Sequence, residues 1–166
     1  ADKPFFLWAN FSDPHHVWDA PQADASKLRW PKHLPDLPGM REDLAKYCGE
    51  ITRMDEEFQW VVDALKERKA YDNTLFVFMG DNGMALPHGK GSLYDPGLNV
   101  PMIARWPGRI RAGSSNNALV SGEDITPTLL DAAGLSPAKG MSGQSFLKLA
   151  TGEQQAHRQH IFAARI

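Results

Sequence analysis

The residues with the most chemistry in the least sequence lie between positions 81 and 90, in DNGMALPHGK. Asp81 and Asn82 offer a carboxylate and an amide carbonyl side by side, a hard oxygen half-site suited to Ca²⁺ or Mg²⁺ rather than to zinc or copper. Adjacent strand residues point to opposite faces, so both oxygens reach one ion only where the chain bends, and Gly80 and Gly83 permit that bend. The same residues suit an Asx-turn that caps a strand and binds nothing. Lys90, between Gly89 and Gly91, puts an ammonium on a loop where it can clamp an anion or protonate a leaving oxygen; the plainer alternative is a solvated loop lysine. His88 is either a pocket wall or a surface residue. A second cluster, Asp13-Pro14-His15-His16, offers imidazoles for an oxyanion or a proton, with Asp13 as an orienting partner; the alternative is two histidines that are simply hydrogen-bonded.

A phosphate-cradling loop is the obvious lookalike for GMALPHGKG, and it fails. Five residues rather than four separate Gly83 from Gly89, Pro87 removes a backbone donor, and Gly91 stands where a hydroxyl should follow the lysine.

The elements that must position these groups follow from hydrophobic patterning. Thr74–Met79 is a short apolar, β-branched and aromatic run of the kind that fills the middle of a parallel sheet, and Pro4–Phe11 reads as an earlier buried strand. Between them, Arg41–Arg68 repeats Leu44, Tyr47, Ile51, Met54, Phe58, Val61 and Leu65 at three- and four-residue steps, which predicts one long amphipathic helix. Asp55 is expected beside that stripe as a buried structural acid. Strand, helix, strand implies parallel strands with a right-handed crossover, and it puts both polar clusters at carboxyl ends of strands, where α/β sheets bind ligands. Residues 21–39 carry four prolines and no periodicity, so they read as a long surface loop, with Trp18 and Trp30 as packing anchors or pocket walls. Asn99–Trp106 predicts a further strand and Asn116–Gly122 a short one. Asp124-Ile-Thr-Pro-Thr starts a helix closed by Gly134, Ser145–Ala150 a second, and QHIFAARI alternates like a strand.

Composition narrows the partners. The 166 residues are one domain's length, enough to bury roughly 70% of the unfolded surface. Eighteen basic against twenty acidic side chains, net charge −2, predict neither a nucleic-acid footprint nor membrane attachment, so anion recognition must be local. A single cysteine, Cys48, rules out an intrachain disulfide and leaves compartment unreadable from redox chemistry. No apolar run approaches the roughly 20 residues of a membrane-spanning helix, and ADKPFFLW does not follow a signal-peptide plan. The chain reads as a mature form or an excised piece.

Taken together, PFFLWANFSDPHH, the helix with ITRMDEEFQWVVDALKE, DNTLFVFMGDNG, HGKGSLYDPGLNVPMIARWPG, and DITPTLLDAAGL with GMSGQSF resemble the sulfatase family of the alkaline phosphatase superfamily in order and spacing. GKGSLYDPGLNVP is most similar to the branch of heparan N-sulfatases and related carbohydrate sulfatases. The resemblance implies an α/β fold, a mixed, mainly parallel sheet between helices, here as an incomplete segment. It implies that Asp81 and Asn82 ligate a divalent cation, calcium first with Mg²⁺ or Mn²⁺ as the other candidates. It further implies that Lys90 and His15 contact the sulfate group as catalytic residues, with His88 and His16 near the substrate.

The family's nucleophile is a formylglycine made from Cys or Ser in a C/S-x-P-S/A-R motif, which residues 1–166 do not contain, and Cys48 in YCGEI does not replace it. Residues 1–166 are therefore expected to be part of a sulfatase catalytic domain, with the nucleophile-bearing segment upstream and a C-terminal subdomain downstream, and to be inactive alone. The implied substrate is a sulfated small molecule or glycan, with no nucleic acid and no membrane as partner, in a periplasmic, secreted or lysosomal setting. A phosphodiesterase or phosphonate hydrolase of the same superfamily, and a non-catalytic fragment with at most a binding role, are the alternatives.

Overall fold

Helix α1, Met40–Glu67, is where the repeating apolar pattern placed it. Its first turn carries Glu42 and Asp43 and its last Lys66, each at the end of the helix dipole that favours its charge. It ends through Lys69, a non-glycine in the left-handed region, whose N–H reaches Lys66 O while Ala70 N–H reaches Leu65 O. The buried positions are Leu44, Ala45, Gly49, Glu50, Val62 and Leu65, so the packed face turns away from the Ile51 side of the expected stripe in mid-helix. Asp55 is exposed, and the buried acid of this helix is Glu50.

The computed structural model describes residues 3–164, in two compact units: residues 3–71 with 82–99, and residues 72–81 with 100–164. In the first unit, residues 20–23 lie against α1. Ala23 N–H donates to Ala45 O at 2.9 Å, and a Cβ on Gly49 would sit 2.3 Å from Pro21 O, so only glycine lets the loop approach this closely. Leu34 and Ala20 are buried in this unit, as are Leu44 and Ala45 near the start of α1 and Val62 and Leu65 near its end. Trp18 and Trp30 are anchors: Trp18 Nε1 donates to Pro14 O and its ring meets Tyr47 edge-on, and Trp30 Nε1 donates to Leu34 O with the Arg41 guanidinium over its face.

The second unit contains the sheet. Strand β1 is Phe76–Met79 and strand β2 is Met102–Arg105; between them, in the first unit, lies the short helix α2, Asp95–Leu98. The strands pair antiparallel, Phe76 with Arg105 through Met79 with Met102. The expected parallel pair does not form among the described residues. Pro4–Phe11 is not a strand but an irregular run with Phe6 70% and Trp8 68% exposed. A strand without a ladder partner leaves its N–H and C=O groups to water, and apolar content alone does not supply the partner. Residues 116–122 reduce to one antiparallel bridge, Leu119 to Arg158. Residues 159–164 form no strand, and Arg165 and Ile166 lie outside the described residues.

Helix α3, Ile125–Ala132, follows a 3₁₀ turn at Gly122–Asp124 and closes at Gly134, whose φ is +73°. Helix α4 is Leu147–Thr151. The GMSGQSF segment is bonded to α3 through Phe146 N–H to Thr128 Oγ1 and Ser145 Oγ to Asp131, and to the 3₁₀ turn through Ser142 Oγ to Glu123. Asp124, fully buried, is the hub of this unit. It accepts from the Ser121 and Gln144 N–H groups, from Arg158 through both oxygens, and bonds His157 at 3.1 Å. Burial pushes its carboxyl up, but these donors, Arg158 foremost, outweigh it and hold the pKa at about 2. No helix among the described residues is long and apolar enough to cross a membrane.

Candidate functional site

Residues 82–99 fold into a tight loop of the first unit because three glycines leave no room for side chains. A Cβ on Gly83 would meet Pro96 O at 1.9 Å, one on Gly89 would meet Met84 O at 2.1 Å, and one on Gly97 would meet Ser92 O at 2.5 Å. The loop closes on itself through Lys90 N–H to Met84 O at 2.8 Å and Gly89 N–H to Leu86 O at 3.0 Å. His88 takes a positive φ of 63°, its carbonyl accepts from Ser92 Oγ at 2.6 Å, and its ring stands edge-on to Tyr94. Lys90 is thus fixed at its backbone and exposed at its side chain, and its ammonium forms no ion pair among the described residues. A cation on a rigid loop without a partner is a ready anion contact.

Asn82 opens this loop. Its Nδ2 donates to Gly83 O at 2.9 Å, which leaves Oδ1 as the free end of the amide. Asp81 belongs to the second unit, where it follows β1, and its carboxylate is exposed. Each is by itself a hard oxygen donor of the kind calcium takes, so the donor chemistry fits a divalent cation. Two side chains are fewer than the six to eight oxygens such an ion gathers, and among the described residues no three His, Cys, Asp or Glu side chains converge on a metal position.

His15 and His16 stand in a different loop of the first unit, which starts from an irregular run and not from a strand end as expected. His15 Nδ1 lies 2.6 Å from His16 O; a carbonyl only accepts, so Nδ1 carries the hydrogen and Nε2 is the ring atom left for other work. The His16 ring packs edge-on against Trp18 at 5.2 Å. Both histidines are exposed, and no hydrogen bond or ion pair among the described residues joins them to His88 or Lys90.

Sequence reasoning missed what holds this loop. Arg53 of α1 donates from Nε and Nη2 to the two oxygens of Asp13 at 2.6 and 2.9 Å, from Nη1 to Asp19 at 2.8 Å, and from Nη2 to Glu50 at 2.7 Å. Glu50, 0% exposed, uses its other oxygen to accept Ala20 N–H at 2.7 Å. The Arg53 guanidinium holds the Asp13 carboxyl below its ordinary value, and the acids in turn raise the arginine. The only trace in the sequence is the three-residue spacing of Glu50 and Arg53 beside the apolar stripe, a spacing that exposed ion pairs share.

A family model described as Sulfatase matches residues 1–135. The chain is 34% identical over 149 residues to an ulvan-active sulfatase of Formosa agariphila, covering 86% of this chain and 25% of that protein. It is 31% identical over 157 residues to the N-sulphoglucosamine sulphohydrolase of Homo sapiens, covering 78% of this chain and 31% of that protein. Among solved structures, a phosphonate monoester hydrolase from Silicibacter pomeroyi superposes with a TM-score of 0.62 at 33% identity, over 71% of this chain and 25% of that one. The chain thus spans a quarter to a third of the length of these relatives.

Proposed function

The chain belongs to the sulfatase family, as a segment of its alkaline phosphatase-like α/β fold, and from that membership we propose that the complete protein hydrolyses a sulfate ester or sulfamate on a carbohydrate. The observation that carries this reading is the family match across residues 1–135, which contains all six site residues named from the sequence. Likeness to proteins described as ulvan-active sulfatase and N-sulphoglucosamine sulphohydrolase supports a sulfated sugar as the substrate.

In this reading Lys90 and His15 do the work that this chain contributes. The Lys90 ammonium takes a sulfate oxygen, where it offsets charge that grows in the transition state. His15 has Nδ1 committed to His16 O, so Nε2 is the atom that donates to a sulfate oxygen or hands a proton to the leaving oxygen. His88 and His16 border the sugar. Asp81 and Asn82 would hold a divalent cation, calcium by donor type, and such an ion polarises the sulfate oxygens when bound. The attacking group, a formylglycine by family, has no counterpart motif in residues 1–166, so these residues alone are expected to turn over nothing.

The test is hydrolysis of an aryl sulfate and a sulfated oligosaccharide by the complete protein, with and without chelator, beside a phosphonate monoester. Metal-dependent sulfate release that falls roughly 10²- to 10³-fold in Lys90→Ala and in His15→Ala is expected. The phosphonate hydrolase likeness favours a second reading, and turnover of the phosphonate ester alone would replace the first with it.

A further inference from the structure

We propose that Arg53 is a positioning residue for His15: one guanidinium joins Asp13 and Asp19, the two ends of the histidine loop, to helix α1, and so fixes where His15 Nε2 stands. The proposal rests on the sulfatase reading for what His15 does, but not for the geometry.

The loop from Asp13 to Asp19 contains Pro14, His15, His16, Val17 and Trp18. Its entry is held by the bidentate bond of Arg53 to Asp13, its exit by Arg53 to Asp19, and the next residue by Ala20 N–H to buried Glu50, which itself accepts from Arg53. Every anchor converges on one turn of α1. Inside the loop, His15 N–H bonds Ser12 O, Trp18 Nε1 bonds Pro14 O, and the Trp18 ring lies between His16 and Tyr47 of α1. The histidines themselves are exposed and make no bond to α1. Their position is therefore inherited from the two ends of the loop and from Trp18. A planar, five-donor fork can satisfy two carboxylates and hold a third at fixed angles, which an ammonium cannot do.

The alternative is that the cluster supports folding and nothing more. A double-mutant cycle separates the two, because a residue that acts only through His15 has no further effect once His15 is gone. In the complete protein, Arg53→Ala, Arg53→Lys and Asp19→Asn are made with and without His15→Ala; Asp19 is 76% exposed, so its variant opens one end of the loop without disturbing the core. Sulfate ester turnover is expected to fall roughly 10- to 100-fold in Arg53→Ala, less in Asp19→Asn, and not further when either is added to His15→Ala, with Arg53→Lys restoring little. Hydrogen exchange of the free protein is expected to rise across residues 15–20 in both Arg53→Ala and Asp19→Asn while the amides of α1 stay protected. Equal losses in both His15 backgrounds, or unchanged exchange at 15–20, would overturn the proposal. If the wild-type protein releases no sulfate, the sulfatase reading fails, and exchange alone then decides whether Arg53 holds the loop.

Discussion

Two buried acids carry most of the specific order at the residue scale, and neither was legible. Glu50 and Asp124 look like surface residues in the sequence because the burial of an acid depends on its donors. Those donors lie at a distance: Ala20 is 30 positions from Glu50 and Arg158 is 34 from Asp124. Asp124 has a folded pKa of about 2 against an ordinary 3.8. A depressed folded pKa contributes stability that is complete above 3.8 and disappears as pH falls toward 2. This one group contributes roughly 2 kcal/mol at neutral pH, so denaturant midpoints should decline between about pH 5 and 2. Asp124→Asn, which keeps the shape but leaves Arg158 facing an amide, is expected to cost about 3 kcal/mol by denaturant titration and to flatten that acid limb. For the proposed site, what the sequence told was the loop: the glycines on either side of Lys90 mark the turn that the backbone takes there.

Elements divide by how much of their cause is local. Helix α1 was legible because 28 residues of sustained periodicity and charges suited to both ends agree with one another. The antiparallel pair of β1 and β2 was not, since apolar runs state that a strand is buried without stating its neighbour. The loop between these strands depends on glycines in two different ways. Gly83 and Gly89 are needed for space, whereas Gly91, at φ +76° with open space around it, is needed for its backbone angle alone. Gly83→Ala and Gly89→Ala should therefore open the loop, seen as faster hydrogen exchange across residues 84–97. Gly91→Ala should cost only roughly 1–2 kcal/mol of left-handed strain, and its exchange pattern should stay close to wild type.

On the scale of the whole molecule, each unit puts large apolar side chains in water: Phe5, Phe6, Leu7 and Trp8 in the first and the outward Ile103 of β2 in the second. Surfaces of that kind associate. Residues 1–166 prepared alone are expected to show concentration-dependent association in sedimentation velocity, reduced by Phe6→Ser; a single monomeric species at all concentrations would contradict this. Asp124 has a further consequence, in the timing of synthesis. The carboxylate leaves the ribosome 34 residues ahead of Arg158, an interval of roughly 2–7 s at ordinary elongation rates. During that interval α3 can form, but its hub lacks the cation that neutralises it, so the second unit can become resistant to protease only after Arg158 has emerged. Chains halted at successive lengths should gain that resistance in one step as residues 157 and 158 become available, rather than gradually as α3 and α4 are made.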